Sequence, residues 1–292
     1  MSKYIDRVTK EIKEENSPTG ANFLYNNFFG RIILKLATKR FTSRIVGKYL
    51  DSKMSIKLIN NFIKDNNINM NDYQNKEYKS FNEFFSRKIK NGKRTFSNNK
   101  NDFCSPCDCK LSVYKINDDK TIFVKGKEYT TESILRDESL AKEYKDGYMF
   151  VFRLGVTDYH RYCYIDDGRS LSKKQINGKF HTTSPVAFKR YKVFQENQRE
   201  YEVLKTKNFG EIIQMEVGAM LVGKIVNNYK KTFNRSDEKG YFLYGGSTII
   251  IMIKKDILEV DKDIIENSNN DLETCIKQGE KIAKKVWYEK VS

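Results

Sequence analysis

The feature that most constrains the fold of this chain is a glycine-rich turn that leads directly into an apolar run. Gly245-Gly246-Ser247-Thr248 is followed by Ile249 to Ile253, which holds four isoleucines and one methionine. Glycine permits backbone conformations and close approaches that other residues do not. A continuous β-branched run of this length predicts a buried strand. The sequence therefore predicts a serine hydroxyl presented where a flexible turn enters a rigid strand, although Gly-Gly-Ser-Thr is also common as a plain turn.

Composition and charge narrow the class of protein. The chain has 292 residues, of which 39% are hydrophobic and 13% aromatic, so it can bury a core and is not disordered. It carries 54 Lys and Arg against 38 Asp and Glu, a net charge of +16. Such a charge suits nucleic acid or an anionic membrane surface, and equally a solvated, highly charged surface.

The N-terminus and the cysteines indicate a reducing compartment. Residues 1–17 are charged and polar, unlike a secretory signal, and no apolar stretch approaches the roughly 20 residues of a spanning helix. We therefore expect a cytoplasmic protein that lies on a membrane if it meets one. Five cysteines argue against a disulfide framework. Cys104-x-x-Cys107 is not followed by a second pair with zinc spacing, so we expect no metal.

Two patterns of hydrophobicity divide the chain. Residues 20–65 predict helices, since apolar residues recur every four positions with cations on the other side, as at Leu24, Phe28, Ile32 and Leu36 against Arg31, Lys35 and Lys39. This layer either packs on a core or offers a basic amphipathic surface to acidic lipids. Residues 66–80 are typical of a linker.

From about residue 103 short alternating segments separated by turn signals predict strands. They are Lys110 to Ile116, Thr121 to Val124, Tyr148 to Leu154, Arg161 to Ile165, Tyr201 to Lys205, Glu211 to Val217 and Leu221 to Val226, with Thr131 to Tyr144 as a helix. The predicted fold class is α+β: a helical N-terminal region over residues 1–80 packs on a β-rich core over residues 81–292.

The sequence contains two histidines, His160 and His181, and both are candidates for acid–base chemistry. His160 lies in Asp158-Tyr159-His160-Arg161, although a lone histidine is more often structural. Further charge comes from Ser105-Pro106-Cys107-Asp108 and from Asn197-Gln198-Arg199.

Together these pieces resemble phosphatidylserine decarboxylases of the clostridial type. The resemblance runs in order over about residues 84 to 282. Its segments are Phe84-Phe85-Ser86-Arg87-Lys88-Ile89-Lys90-Asn91-Gly92-Lys93-Arg94, Ser105-Pro106-Cys107-Asp108, Asp158-Tyr159-His160-Arg161, Asn197-Gln198-Arg199, Phe209-Gly210, Glu216-Val217-Gly218-Ala219, Val222-Gly223, Lys239-Gly240-Tyr241-Phe242, Gly245-Gly246-Ser247-Thr248, Glu273-Thr274 and Gly279-Glu280-Lys281-Ile282. Each segment is weak alone, and their ordered sum is specific.

The resemblance implies a proenzyme that cuts itself between Gly246 and Ser247. The Ser247 hydroxyl would attack the Gly246 carbonyl to give an ester, and loss of the serine α-proton would then eliminate it. The dehydroalanine left behind would hydrolyse to a pyruvoyl group and ammonia. The products would be a β chain of residues 1–246 and an α chain of residues 247–292, held together as a heterodimer, with further homo-oligomerisation left open.

Site residues are also implied by the resemblance. His160 would act as the base toward Ser247, and Asp108 would orient it. Many bacterial relatives carry a second histidine where this chain has Cys163, and a thiol is the poorer base, so His160 is favoured. By the chemistry of the guanidinium group alone, Arg87, Arg161 and Arg199 are candidates to hold phosphate or carboxylate or to form structural ion pairs, and none of the three is favoured.

The implied activity is the decarboxylation of phosphatidylserine to phosphatidylethanolamine. The pyruvoyl group on Ser247 would form a Schiff base with the substrate amine and accept its electrons. We expect a peripheral protein on the cytoplasmic side of the cell membrane, with phosphatidylserine and the anionic membrane surface as partners and no nucleic acid. The alternatives are a pyruvoyl-dependent decarboxylase of a soluble amino acid derivative and a basic nucleic-acid-binding protein with a cysteine-rich zinc site. The last predicts no cut chain.

Overall fold

The computed structural model describes residues 2–220, 224–245 and 247–286. The N-terminal part contains β1 (Ser2–Asp6), β2 (Ile12–Glu15), α1 (Thr19–Asn26), α2 (Phe28–Ala37), α3 (Arg40–Leu50), α4 (Lys57–Asp65) and α5 (Phe81–Phe85), with 3₁₀ turns at Lys53–Ile56 and Met70–Asp72. The middle part contains β3 (Asp102–Cys104), β4 (Cys109–Lys115), β5 (Thr121–Val124), β6 (Lys127–Thr130), α6 (Thr131–Leu135), α7 (Glu138–Lys142), β7 (Tyr148–Leu154), β8 (Arg161–Cys163) and β9 (Gly168–Ile176). The remainder contains α8 (Pro185–Phe188), α9 (Val193–Glu196), β10 (Arg199–Thr206), β11 (Glu211–Val217), β12 (Ile225–Asn227), β13 (Thr232–Phe233), β14 (Glu238–Phe242), β15 (Ser247–Ile253), β16 (Leu258–Val260), α10 (Lys262–Asn269), β17 (Leu272–Ile276) and β18 (Lys281–Lys285).

A large sheet organises the described residues, in the order β13-β9-β10-β11-β15-β7-β4-β17-β1-β2. Its neighbours are antiparallel except β1 and β17, which run parallel. The predicted apolar strand, β15, lies inside the sheet between β11 and β7. All seven of its residues are buried, as a strand covered on both faces requires. The predicted α+β class is confirmed.

Alternation along β15 divides its side chains between two cores. Ile250 and Met252 join one core, which also contains Tyr25 of α1 and Leu34 of α2. Ile249 faces the other core, with Tyr162 of β8 and Phe242 of β14. β12, β14 and β8 form a small sheet of their own on that side. Ser247 shares the face of Ile249 and stands opposite Leu154, so the serine side chain points toward the small sheet.

The first fifteen residues depart from the predicted helical N-terminal region. β1 and β2 form a hairpin that extends the large sheet, with Lys3 paired to Leu272. The Ser2 hydroxyl donates to the buried carboxylate of Glu273, 2.7 Å away. A helical reading fails here because the strand is fixed by a partner about 270 residues away, which local periodicity cannot report.

The helices α1–α3 leave much of their apolar surface uncovered. The side chains that are more than a third exposed are Phe23, Phe28, Phe29, Ile32, Ile33, Leu36, Phe41, Ile45 and Tyr49, which we call the apolar face. Phe29 and Phe41 exceed 69% exposure. Inside the described ranges, no helix is long and apolar enough to cross a membrane.

Candidate active site

Ser247 is the first residue of β15 and is only 1% exposed. Its Oγ has no hydrogen-bond partner among the residues that the structure describes. Leaving a buried hydroxyl unpaired costs about 1–3 kcal/mol, so the position is not optimised for stability alone. Gly245 precedes it with φ of +129°, a conformation that favours glycine. Gly246, the residue on the other side of the predicted cut, lies outside the described residues.

His160 lies at the end of β14 that leads to Ser247. Its carbonyl accepts the Phe242 N–H at 3.0 Å, and its ring centroid is 4.2 Å from that of Phe85. Phe85 also packs edge-on against Tyr244, with centroids 5.2 Å apart. His160 thus lines the segment that leads to Ser247. Like Ser247 Oγ, its buried Nε2 has no hydrogen-bond partner within the described ranges.

The hydrogen bond at the other ring nitrogen fixes the tautomer of His160. Nδ1 lies 2.8 Å from the carbonyl oxygen of Asp158, which can only accept, so Nδ1 carries the proton. Burial lowers the pKa of His160 to about 4, so the ring is neutral near pH 7. Nε2 therefore presents a free lone pair, which is what a general base requires.

Asp158 is itself held in place. Its carboxylate accepts two bonds from Lys110 Nζ, at 3.0 and 2.8 Å, and one from the Gly155 N–H at 2.7 Å. Lys110 is buried, and burial by itself lowers its pKa. The carboxylates of Asp158 and Glu15 outweigh that effect and raise the pKa above its usual value, so Lys110 stays charged. Sequence reasoning missed both residues. The only available signal was the motif Asp158-Tyr159-His160-Arg161, in which Asp158 acts through its main chain.

The Asp108 carboxylate, which the resemblance implies as the group that orients His160, has hydrogen-bond partners other than the His160 ring. Its carboxylate forms a bidentate pair with Arg94 at 2.7 and 2.5 Å and accepts the Gln278 N–H at 2.9 Å. In the described part of the chain no hydrogen bond joins Asp108 to His160. The structure brings His160 to the segment before Ser247, and it places Asp108 with Arg94.

Cys163 is an unsuitable base. Its Sγ donates to the Pro106 carbonyl at 3.3 Å and lies 3.5 Å from Gln278 Nε2. Burial raises the pKa of the Cys163 thiol, which keeps it protonated. Among the described residues no group of three or more His, Cys, Asp or Glu side chains is arranged to hold a metal.

The three arginines that the sequence singled out have different surroundings. Arg199 donates to four main-chain carbonyls, those of Ser133, Ile134, Gln195 and Asn197, so its role is structural. Arg161 pairs with Glu238 at 2.8 Å. Arg87 has no ion-pair partner among the described residues.

A cavity of about 560 Å³ adjoins the segment before Ser247. Tyr244, Gly245 and Leu154 form one wall, and Gly20, Ala21 and Leu24 of α1 form another. Lys110 and Arg153 also line it. The cavity therefore connects the turn before Ser247 with the helices that carry the apolar face.

Comparisons with known proteins show which family this chain belongs to. The model of the phosphatidylserine decarboxylase family matches residues 81–284. "Phosphatidylserine decarboxylase proenzyme 2" of Clostridium acetobutylicum is 52% identical over 95% of this chain and 96% of its own length. The phosphatidylserine decarboxylase proenzymes of Clostridium tetani and Fusobacterium nucleatum are 40% and 41% identical, over 98% and 95% of this chain and 99% and 96% of their own lengths. The chain belongs to the phosphatidylserine decarboxylase family.

Proposed function

We propose that this protein is a phosphatidylserine decarboxylase that generates its own pyruvoyl group by cutting the chain between Gly246 and Ser247. The observation that carries the proposal is that two buried groups, Ser247 Oγ and His160 Nε2, have no hydrogen-bond partner among the described residues. Two such groups are costly to maintain, and self-cleavage needs both a free hydroxyl and a free base.

In the uncut chain His160 Nε2 accepts the proton of the Ser247 hydroxyl as that oxygen attacks the Gly246 carbonyl carbon. It returns the proton to the Ser247 nitrogen as the peptide C–N bond breaks and the ester forms. In the motif around His160, the histidine is the neutral base that can take this proton, whereas Cys163 is a protonated thiol. Asp158 and Lys110 keep the ring in the productive tautomer. Asp108 is connected to Cys163 through Gln278, whose main-chain N–H donates to the Asp108 carboxylate and whose Nε2 lies 3.5 Å from Cys163 Sγ.

The pyruvoyl group, once formed at residue 247, supplies a carbonyl that accepts the electrons released by decarboxylation. The chain's own contribution is to exclude water and to place a proton source. β15 is buried along its whole length, which shields the new N-terminus of the α chain. After the cut His160 Nε2 would take up the proton that the substrate ammonium group releases and deliver it to the product carbon.

The apolar face supports a peripheral position on the cytoplasmic side of the cell membrane. Its large side chains are uncovered, and the cations Lys35 of α2, Arg44 of α3 and Lys39 between these helices are exposed. A lipid headgroup can enter the cavity beside α1 while its tails stay in the bilayer. The charge of the helices favours an anionic surface.

The intact mass of the purified protein tests this proposal. We expect two chains, residues 1–246 and residues 247–292. The mass of the second is lowered because its N-terminal serine is converted to a pyruvoyl group. Release of CO₂ from phosphatidylserine in vesicles, and not from free serine, separates a lipid substrate from a soluble amino acid derivative. A single uncut chain that decarboxylates neither would contradict the proposal.

A further inference from the structure

A second cavity of about 590 Å³ lies on the far side of the segment that leads to Ser247. Tyr241 and Leu243 line it, and so does Asn82, whose Oδ1 accepts the Tyr244 N–H at 3.2 Å. It shares none of its lining residues with the cavity beside α1. It is therefore a separate site next to the same turn.

The lining of this second cavity is cationic. Five basic side chains face two carboxylates, and these are Lys76, Arg87, Lys88, Arg161 and Lys224 against Asp51 and Glu83. Both carboxylate oxygens of Glu83 already have partners, because Oε1 pairs with Lys76 and Oε2 accepts the Lys79 N–H at 2.6 Å. Asp51 accepts a bond from the Asn82 amide. Arg161 is paired with Glu238, which leaves Arg87, Lys88 and Lys224 without an ion-pair partner among the described residues.

Arg87 is the least satisfied of these cations. It is only 2% exposed, and its guanidinium lies over the rings of Tyr73 and Phe84, 4.1 and 4.8 Å from their centroids. Its Nε and Nη2 have no hydrogen-bond partner in the described residues, and its Nη1 makes one long bond of 3.4 Å to the Phe84 carbonyl. A buried charge without a counterion is strongly unfavourable unless a ligand supplies one.

A neighbouring cavity of about 490 Å³ extends the basic surface along α3. It shares Asp51, Lys224 and Leu243 with the second cavity and adds Glu200 as a carboxylate. α3 places Arg40, Arg44 and Lys48 on this cavity, at a spacing of four residues. Its apolar residues Phe41, Ile45 and Tyr49 follow the same spacing and are exposed. The helix thus directs its cations toward the cavity and its apolar side chains to solvent.

We propose that the cavity lined by Arg87, Lys88 and Lys224 binds a phosphate group. A planar guanidinium with two free N–H donors matches two phosphate oxygens, and lysines around it neutralise the charge. The phosphate belongs either to an anionic lipid headgroup, which the position beside α3 allows, or to a soluble phosphate. The site is distinct from Ser247 and His160, and it needs no cut in the chain.

Two assays on the purified protein separate the sources. Titration calorimetry with inorganic phosphate measures binding of soluble phosphate. Flotation with phosphatidylglycerol–phosphatidylcholine vesicles, against phosphatidylcholine alone, measures binding of lipid. Arg87→Met removes the guanidinium group and keeps an apolar side chain beside Tyr73 and Phe84. Lys88→Met/Lys224→Met removes two exposed cations without disturbing the core. The matched control is Arg169→Met/Lys205→Met, which removes two exposed cations from β9 and β10.

A loss of at least tenfold in phosphate affinity in both site variants, with the control like the wild type, supports a site for soluble phosphate. No calorimetric binding, but a tenfold loss of phosphatidylglycerol binding in the Lys88→Met/Lys224→Met variant beyond that of the control, supports a lipid headgroup. Site variants that match the control in both assays overturn the proposal. The double lysine variant decides the outcome if Arg87→Met does not fold.

Discussion

The ring of His160 is held by the main chain of Asp158, through a 2.8 Å hydrogen bond between Nδ1 and the carbonyl oxygen. A carboxylate at this position would favour the charged imidazolium. A carbonyl fixes the tautomer and leaves the ring neutral, because it adds no negative charge. The Asp158 carboxylate acts one step further away, on Lys110.

This arrangement predicts which acidic residue matters more for self-cleavage. Asp158→Asn weakens the bonds to Lys110 and Gly155, so the loop that carries His160 loosens, and we expect cleavage to slow by about tenfold or more. Asp108→Asn removes the pair with Arg94 and leaves the His160 ring held. Rates of chain cutting, followed on denaturing gels, compare the two. The reverse order of effects would restore Asp108 as the residue that orients His160.

Ser247→Ala is expected to give a folded, uncut and inactive chain, since the nucleophile and the precursor of the pyruvoyl group are lost together. Thr248→Val is the matched control. Thr248 is also buried, its Oγ1 also lacks a partner in the described residues, and it faces the opposite side of β15. We expect this variant to be cut at the wild-type rate. Decarboxylation by Ser247→Ala at the normal rate would refute a pyruvoyl group at this residue.

Self-cleavage is expected to depend on pH through His160. Burial lowers its pKa from 6.5 to about 4, so the base is unprotonated from about pH 5 upward. The cleavage rate of freshly refolded chain should therefore be flat between pH 5 and 8 and fall as the pH drops through about 4. His160→Asn should lower the plateau by about 10²–10⁴. A midpoint near 6.5 would mean that the base is solvated, or is another group.

Much of the sheet is predictable because its central strands follow simple patterns. The bounds of β5, β7 and β11 agree with the predicted segments, and β15 adds only two residues to the apolar run. These strands are rich in β-branched and aromatic residues and end at turn signals. The predicted helix at 131–144 divides into α6 and α7, because Arg136 takes a left-handed conformation and Asp137 caps a new helix.

What the sequence could not supply depends on contacts between distant segments. β9 exposes most of its side chains and has no apolar alternation, so only its pairing with β10 reveals it. His160 Nδ1 bonds to the main-chain carbonyl of Asp158, and because every residue carries such a carbonyl, the sequence cannot predict this partner. The order of the motifs predicted the family, whereas the partners of Asp108 required the fold.

The apolar face predicts a selective loss of membrane binding. Phe29→Ser with Ile33→Ser removes two exposed apolar side chains of α2, each worth about 1.5–3 kcal/mol if fully buried in lipid. We expect binding to phosphatidylserine vesicles to fall by at least tenfold and self-cleavage to be unaffected. Phe123→Ser with Leu171→Ser removes two exposed apolar residues from β5 and β9 and serves as the control. Equal losses in both pairs would argue against docking through α1–α3.

His181 predicts a pH dependence of stability that is separate from catalysis. It stacks on Tyr191, with ring centroids 4.0 Å apart, and its Nδ1 lies 3.2 Å from the Tyr25 hydroxyl. Burial lowers its pKa to about 4, although Glu196 partly opposes this. Between pH 6.5 and 4 the unfolded chain binds one more proton at this residue than the folded chain does. The free energy of unfolding therefore falls as the pH falls, by about 1.4 kcal/mol per pH unit from this histidine.

The expected result is a shallower pH dependence in His181→Phe, which keeps the stacked ring and removes the titrating group. Urea unfolding of the uncut Ser247→Ala chain between pH 7 and 4 measures it without interference from processing. The wild-type histidine should contribute its full stability above pH 6.5 and lose it progressively down to about pH 4. An unchanged slope in His181→Phe would show that the ring is protonated in the folded chain, paired with Glu196 Oε2, which lies 3.8 Å from Nε2.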